Sequence, residues 1–231
     1  MSDKKGTSSK TAKERFISLV SRIRASFVRF PLAYTISYTS VVIALILSNL
    51  DWVGFTAEAA SDTARWWGYV SVFLGFLLPL VVTIDVASER FAKITTIRII
   101  YGYVAAAVFS LFSVIYWSSD LFSSNFNGVD FTRFTIFSAI VGTTFLYVPY
   151  FKRAGNGEFW YYIRGVLRSA FGAFILSLVL YVGAAGILLS INGLLGANFS
   201  WEWFVNLYII VAGGVGATLF YGLFPKNLAD T

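Results

Sequence analysis

The sequence predicts an all-α membrane protein: a bundle of six transmembrane helices, both termini cytoplasmic, preceded by a basic amphipathic helix at the membrane interface. Three observations carry that class. Of 231 residues, 57% are hydrophobic and 13% charged, whereas a soluble domain carries about a quarter charged residues. So little polar surface cannot cover a globule in water. Charge-free stretches recur over 30–50, 66–84, 99–119, 134–151, 169–201 and 203–225, and roughly 20 apolar residues rising ~1.5 Å each cross a ~30 Å hydrocarbon core. Finally, with the N-terminus inside, 16 of the 18 Lys and Arg fall in inside segments and only Arg65 and Arg133 outside, the asymmetry expected of an inner (plasma) membrane protein.

Residues 1–10, MSDKKGTSSK, are small and polar and predict a disordered tail. Over 11–29, Phe16, Leu19, Val20, Ile23 and Phe27 recur at helical spacing, with Arg15, Ser18 and Arg22 elsewhere on the wheel. That pattern predicts a helix lying along the inner leaflet. Pro31 then opens the first span, because a missing N–H costs nothing in the first helical turn.

The transmembrane domain is expected over 30–226, with spans near 31–50, 66–86, 97–118, 132–150, 168–190 and 203–225 and a tail over 227–231. The fifth apolar run is long, but Asn192, Gly193, Gly196 and Asn198 bring turn chemistry to its end. It is read as a span to about residue 190 followed by a loop. Outside loops are expected over 51–65, 119–133 and 191–203. Trp52, Trp66, Trp67, Trp117, Trp201 and Trp203 lie in or beside them, as rings favouring the headgroup region should. Trp160, with Arg164 and Arg168, marks the inner boundary and predicts an interfacial anchor facing anionic headgroups. Those headgroups account for the net charge of +6 without a nucleic-acid partner. Asn198-Phe199-Ser200 matches a glycosylation sequon.

Function is less legible. There is no Cys and no His, which excludes disulfides, thiolate and imidazole metal ligands, and imidazole-based catalysis. No cofactor is expected. Asp85, Glu89 and Arg90 close the second span. Asp85 is expected at the interface rather than in a proton relay, since no other span carries a charge to complete one; Pro79, earlier in the helix, frees a carbonyl and bends it. Thr35 and Thr39 stack one turn apart in a polar first span, which either packs against neighbouring helices or lines a midplane site. Small residues crowd the last two spans, with Gly183 and Gly186 in the fifth and Gly213 and Gly216 in the sixth, where helix backbones are expected to approach closely.

Several of these stretches, in order, resemble the bacterial integral-membrane DUF4153 family. They are Arg29-Phe30-Pro31-Leu32, then Gly75 and Leu78-Pro79-Leu80 followed by Ser88-Glu89-Arg90, then Phe159-Trp160 with Arg164 and Arg168, then Gly183, and last Phe224-Pro225-Lys226-Asn227-Leu228. The likeness runs from about residue 27 to 228. It implies a polytopic inner-membrane protein and brings no activity with it. The function expected from the residues is a non-enzymatic assembly component, associating through its glycine-rich helices with a second copy or another membrane protein. The alternative is a small-solute transporter with a midplane site near the first and second spans.

Overall fold

The computed structural model describes residues 12–49, 57–90, 96–117, 128–147, 156–197 and 199–225. Among these there is no strand; the elements are α1 (Ala12–Arg29), α2 (Pro31–Ser48), α3 (Ala57–Arg90), α4 (Thr96–Trp117), α5 (Gly128–Tyr147), α6 (Asn156–Leu195), α7 (Trp201–Tyr208), a π-helical stretch (Ile209–Val215) and α8 (Gly216–Leu223). Five helical stretches among the described residues are long and apolar enough to cross a membrane: Pro31–Ser48, Tyr69–Glu89, Thr96–Tyr116, Phe159–Leu195 and Trp201–Leu223. The described elements are all helical, and their apolar helices are consistent with a multi-pass membrane protein.

The stretch expected as the fourth span is α5, which is helical but is not one of those five. Asp130, Thr132, Arg133, Thr135, Thr143 and Thr144 dilute its apolar run. Other boundaries shift outward. Residues 57–65 were expected in a loop and belong to α3; α6 continues past the expected stop near 190 to Leu195. Spans were delimited by polar residues, but such residues still favour helix once the chain leaves hydrocarbon. The real stop after α6 is Gly196, at φ +64°, whose N–H donates to the Asn192 carbonyl at 3.1 Å. A left-handed glycine is a common helix terminator. The tails 1–10 and 227–231, the sequon asparagine Asn198, and the Trp52, Trp66, Trp67 and Trp117 side chains lie outside the described residues. Trp201 and Trp203 are exposed at the start of α7.

α2 runs antiparallel to the last span, Tyr38 meeting Thr218 and Ser48 meeting Asn206, whereas α3 and α5 run parallel, Phe76 lying by Phe137 and Val82 by Phe145. At one end, called here the basic end, the start of α2 meets the ends of α3 and α8: Arg29 Nε donates to Glu89 Oε1 at 2.6 Å and Nη1 to the Pro225 carbonyl at 2.8 Å. The Tyr162 hydroxyl of α6 donates to the Phe145 carbonyl of α5 at 3.3 Å at that same end. At the other end Ser48 and Asn49 of α2 hydrogen-bond Asn206 of α7, the two asparagine amides exchanging bonds of 2.9 and 3.0 Å.

α3 is central, packing on α2, α4 and α5. The main core sits towards the basic end, where Phe30, Tyr34, Val81, Val82, Val86, Tyr162, Val166, Tyr221 and Phe224 are buried together. A smaller one joins Phe76 of α3 to Val141 of α5. α4 meets α3 through Ala106, Ser110 and Ser113, each buried. The three-and-four spacing is one helix face. α6 is buried only along Tyr162, Val166, Ser169, Ala173 and Ser177, a stripe that ends at mid-helix. Beyond it α6 shows apolar side chains outward, as a lipid-facing surface does.

α1 does not stand apart from the bundle. Ile23 reaches α8 at Gly222, Ser26 is buried with its hydroxyl 2.7 Å from that of Tyr34, and Phe27 stacks on Tyr34 with ring centroids 3.9 Å apart. Ile17, Val20 and Val28 remain exposed.

Candidate functional site

Two local features of the helices make an opening at mid-depth. Pro79 has no N–H to offer the Gly75 carbonyl four residues back, so α3 carries a carbonyl without its helical partner. Thr83 bonds back on Pro79, its hydroxyl donating to the Pro79 carbonyl at 2.7 Å. Facing α3, the last span passes from α into π geometry over Ile209–Val215. A π turn re-aims the chain inside a helix and recurs at functional sites. Between the two lies a cavity of about 750 Å³, walled by α2, α3, α6 and the π stretch, with Gly75 and Pro79 on one side and Ile209, Ala212 and Gly213 on another.

The wall is apolar with a few hydroxyls. Ser37 is bound to Tyr221 at 2.9 Å, and Ser40 donates to the Ile36 carbonyl at 2.9 Å. Ser177 differs. It is 7% exposed and its hydroxyl is buried without a hydrogen-bond partner among the described residues. A hydroxyl left so is costly, on the order of 1–3 kcal/mol, and this one lies behind the cavity wall, against Gly216. Ala170, Phe174 and Tyr208 line the cavity and are also exposed, so it communicates with the flank of the bundle. The tight core at the basic end closes it below, through Tyr221 and Val82.

The residues singled out from sequence are distributed unevenly around this site. Thr35 and Thr39 are exposed on another face of α2, the Thr35 hydroxyl donating back to the Pro31 carbonyl at 3.0 Å; Ser37 and Ser40 face the cavity instead. Gly213 lies in its wall, where an added Cβ would come within 2.7 Å of Val41 Cγ2. Gly216 is there too, where an added Cβ would come 3.1 Å from Ser177 Oγ. Gly183 and Gly186 lie on the outer half of α6 with open space at their Cβ positions. Trp160, Arg164 and Arg168 are exposed at the basic end. Ser177 and Gly75 were not marked as a site, and the π stretch only through Gly213, as a packing glycine. Nothing in a lone serine or in a run such as IIVAGGV announces a wall until the facing helix is known.

Asp85, expected at the interface, is buried among helices. It is 8% exposed, turned in between α3 and α4, where the Tyr103 hydroxyl donates to its Oδ1 and Oδ2 has no partner among the described residues. Glu89, one turn on, holds the interfacial position and accepts both Arg29 bonds, at 2.6 and 2.5 Å. The Arg90 side chain lies outside the described residues. Tyr103 had no mark in the sequence, since it is one aromatic among many. Two substitutions separate its role from that of the carboxylate. Tyr103→Phe removes the one donor to a buried carboxyl and is expected to lower stability by about 1–3 kcal/mol. Asp85→Asn keeps an acceptor for Tyr103, removes a buried acid and is expected to leave stability unchanged or higher. Equal losses in a detergent-unfolding titration of both variants would contradict that assignment.

Among the described residues no three of His, Cys, Asp and Glu gather as a metal site. No family model, curated protein or solved structure matches the chain.

Proposed function

We propose that the chain is a six-span protein of a bacterial inner membrane, termini cytoplasmic, of the DUF4153 kind. We further propose that it binds a small, largely apolar solute in the flank cavity, as a permease-like protein rather than an enzyme. α5 supports the count of six: it runs alongside α3, its Phe137 ring 6.4 Å from that of Phe76, and its Phe145 end meets α6 at the basic end. The distribution of Lys and Arg supports the direction.

The observation that carries the binding reading is the 750 Å³ cavity between a proline-broken helix and a π-helical one. Sites in membrane carriers lie near the midplane, where helices are discontinuous, and irregular backbone at that depth is tolerated where it lines a cavity. The assembly role expected from the sequence draws less support. Gly213 and Gly216 serve contacts within the chain, to Val41 and Ser177, and are not on offer to a partner.

The test is photolabelling of the full chain in nanodiscs with a small aliphatic diazirine. Adducts are expected on Phe174, Ser177, Tyr208 or Tyr221, and they should be lost in Gly75→Phe. Gly75 lines the cavity and has open space at its Cβ, so a phenylalanine there takes up cavity volume. Adducts confined to outward residues such as Val179 and Leu180, unchanged in Gly75→Phe, would overturn the reading.

A further inference from the structure

We infer that the chain holds one anionic phospholipid in a second groove, with the headgroup phosphate on Arg22 and Arg168 and an acyl chain between α6 and α8. The groove, of about 730 Å³, is formed where α1 lies against the basic end of α8 and both face α6. Its floor comes from close helix approach: a Cβ on Gly165 would meet Pro225 Cγ at 3.1 Å, and one on Gly172 would meet Leu223 Cδ1 at 3.2 Å.

The chemistry of the groove is graded along its length. Arg22 of α1 and Arg168 of α6 are exposed at its mouth with Tyr161 beside them. No acidic residue among the described residues lines it. Neither guanidinium has an ion-pair partner among the described residues. Deeper along α6 the wall is Gly172, Ile175 and Leu176. Leu176 is eight residues beyond Arg168, about 12 Å at the helical rise, which is most of one ~15 Å leaflet. Two paired donors of fixed positive charge match a phosphate diester. An apolar slot continuing into the hydrocarbon from that point matches a chain esterified to it and nothing that is free in water. The sequence marked Arg168 as part of a belt; it is α1, folded back on α8, that brings a second arginine to it.

The groove is separate from the flank cavity, so the two proposals fail separately. Native mass spectrometry of the full chain in mild detergent, titrated with dioleoyl phosphatidylglycerol, is expected to show one retained lipid, with phosphatidylcholine retained far more weakly. Arg22→Gln with Arg168→Gln should weaken retention about thirtyfold, at the strength of juxtamembrane basic residues. Arg24→Gln, an exposed arginine of α1 outside the groove, should change it less than about twofold. Gly75→Phe should leave it unaltered. Both arginines are exposed, so the variants are expected to fold, and a thermal melt checks that. Equal retention of phosphatidylcholine, an equal loss with Arg24→Gln, or displacement by millimolar inorganic phosphate would overturn the site. Equal retention of the dihexanoyl lipid would overturn the acyl slot.

Discussion

Arg29→Ala is expected to lower the stability of the folded chain by about 2–3 kcal/mol, measured as the SDS fraction that half-unfolds it in mixed micelles. Arg29 is the last residue of α1, and its guanidinium ties three elements at once. Nε and Nη2 grip both carboxylate oxygens of Glu89, at 2.6 and 2.5 Å, and Nη1 takes the Pro225 carbonyl at 2.8 Å. The same group lies over the Phe30 ring at 4.8 Å and the Phe224 ring at 5.7 Å. An exposed pair would be worth little, but the arginine side chain is only 16% exposed, and two planar forks facing each other lose less entropy per bond than a flexible lysine would. Arg29→Lys should therefore recover less than half of the loss, since one ammonium cannot serve both oxygens and the carbonyl. Glu89→Gln should cost less than Arg29→Ala, because Glu89 is 35% exposed and the carbonyl contact survives. If Arg29→Ala and Glu89→Gln were equally mild, the basic end would be held by its aromatic core alone.

The consequence reaches both sites. Arg29 fixes the end of α1, and α1 supplies Arg22 to the lipid groove; it also anchors Glu89, one turn beyond Asp85 and two beyond the Val82 that closes the cavity. The basic end is thus where the main core is packed, and the half of α6 beyond Ser177 has no buried residue.

How much of this was legible follows from what each signal measures. Hydropathy reports the solvent of a stretch, so it found the apolar helices well and their ends poorly: α3 and α6 continue through Glu58, Asp62, Arg65 and Asn192, which are polar and helical at once. It also placed α5 among the spans by a charge-free run, though the helix it lies in begins at Gly128, ahead of Asp130 and Arg133. The amphipathic spacing of Ile23 and Phe27 identified a helix with an apolar face but not what that face meets, because lipid and a neighbouring helix are equally apolar. Hence α1 was expected on the leaflet and packs on α8. The polar pairs misled in a similar way. Thr35 and Thr39 are prominent in the sequence, yet a threonine in a helix satisfies itself on the carbonyl four residues back, as Thr35 does. The serine that is not satisfied, Ser177, sits in a run of leucines where nothing distinguishes it. Pro79 carried a signal whose cause, a lost N–H, is local, and with Gly213 and Gly216, marked for close packing, it is what the sequence showed of the cavity.

Gly213→Leu is expected to destabilise the fold by about 2–3 kcal/mol, whereas Gly186→Leu should change it by no more than about 0.5 kcal/mol. Both glycines belong to the small-residue pattern of the last two spans, so the sequence ranks them alike and the surroundings rank them apart. At Gly213 a Cβ would stand 2.7 Å from Val41 Cγ2. Valine is β-branched and nearly fixed at χ1 in a helix, so it cannot swing aside, and α2 must separate from the π stretch. Separation there also strains the neighbouring contact of Gly216 with Ser177 and opens the wall of the cavity. At Gly186 nothing beyond its own helix turn lies within 4 Å of the new Cβ, and a leucine would simply join the exposed Ile187 and Leu189 on the outward face of α6. Detergent-unfolding midpoints of the two variants, compared in the same micelles, decide the ranking. A Gly186→Leu loss as large as that of Gly213→Leu would mean that the outer half of α6 is covered in the assembled protein, and the helix-association role would then displace the solute-binding one.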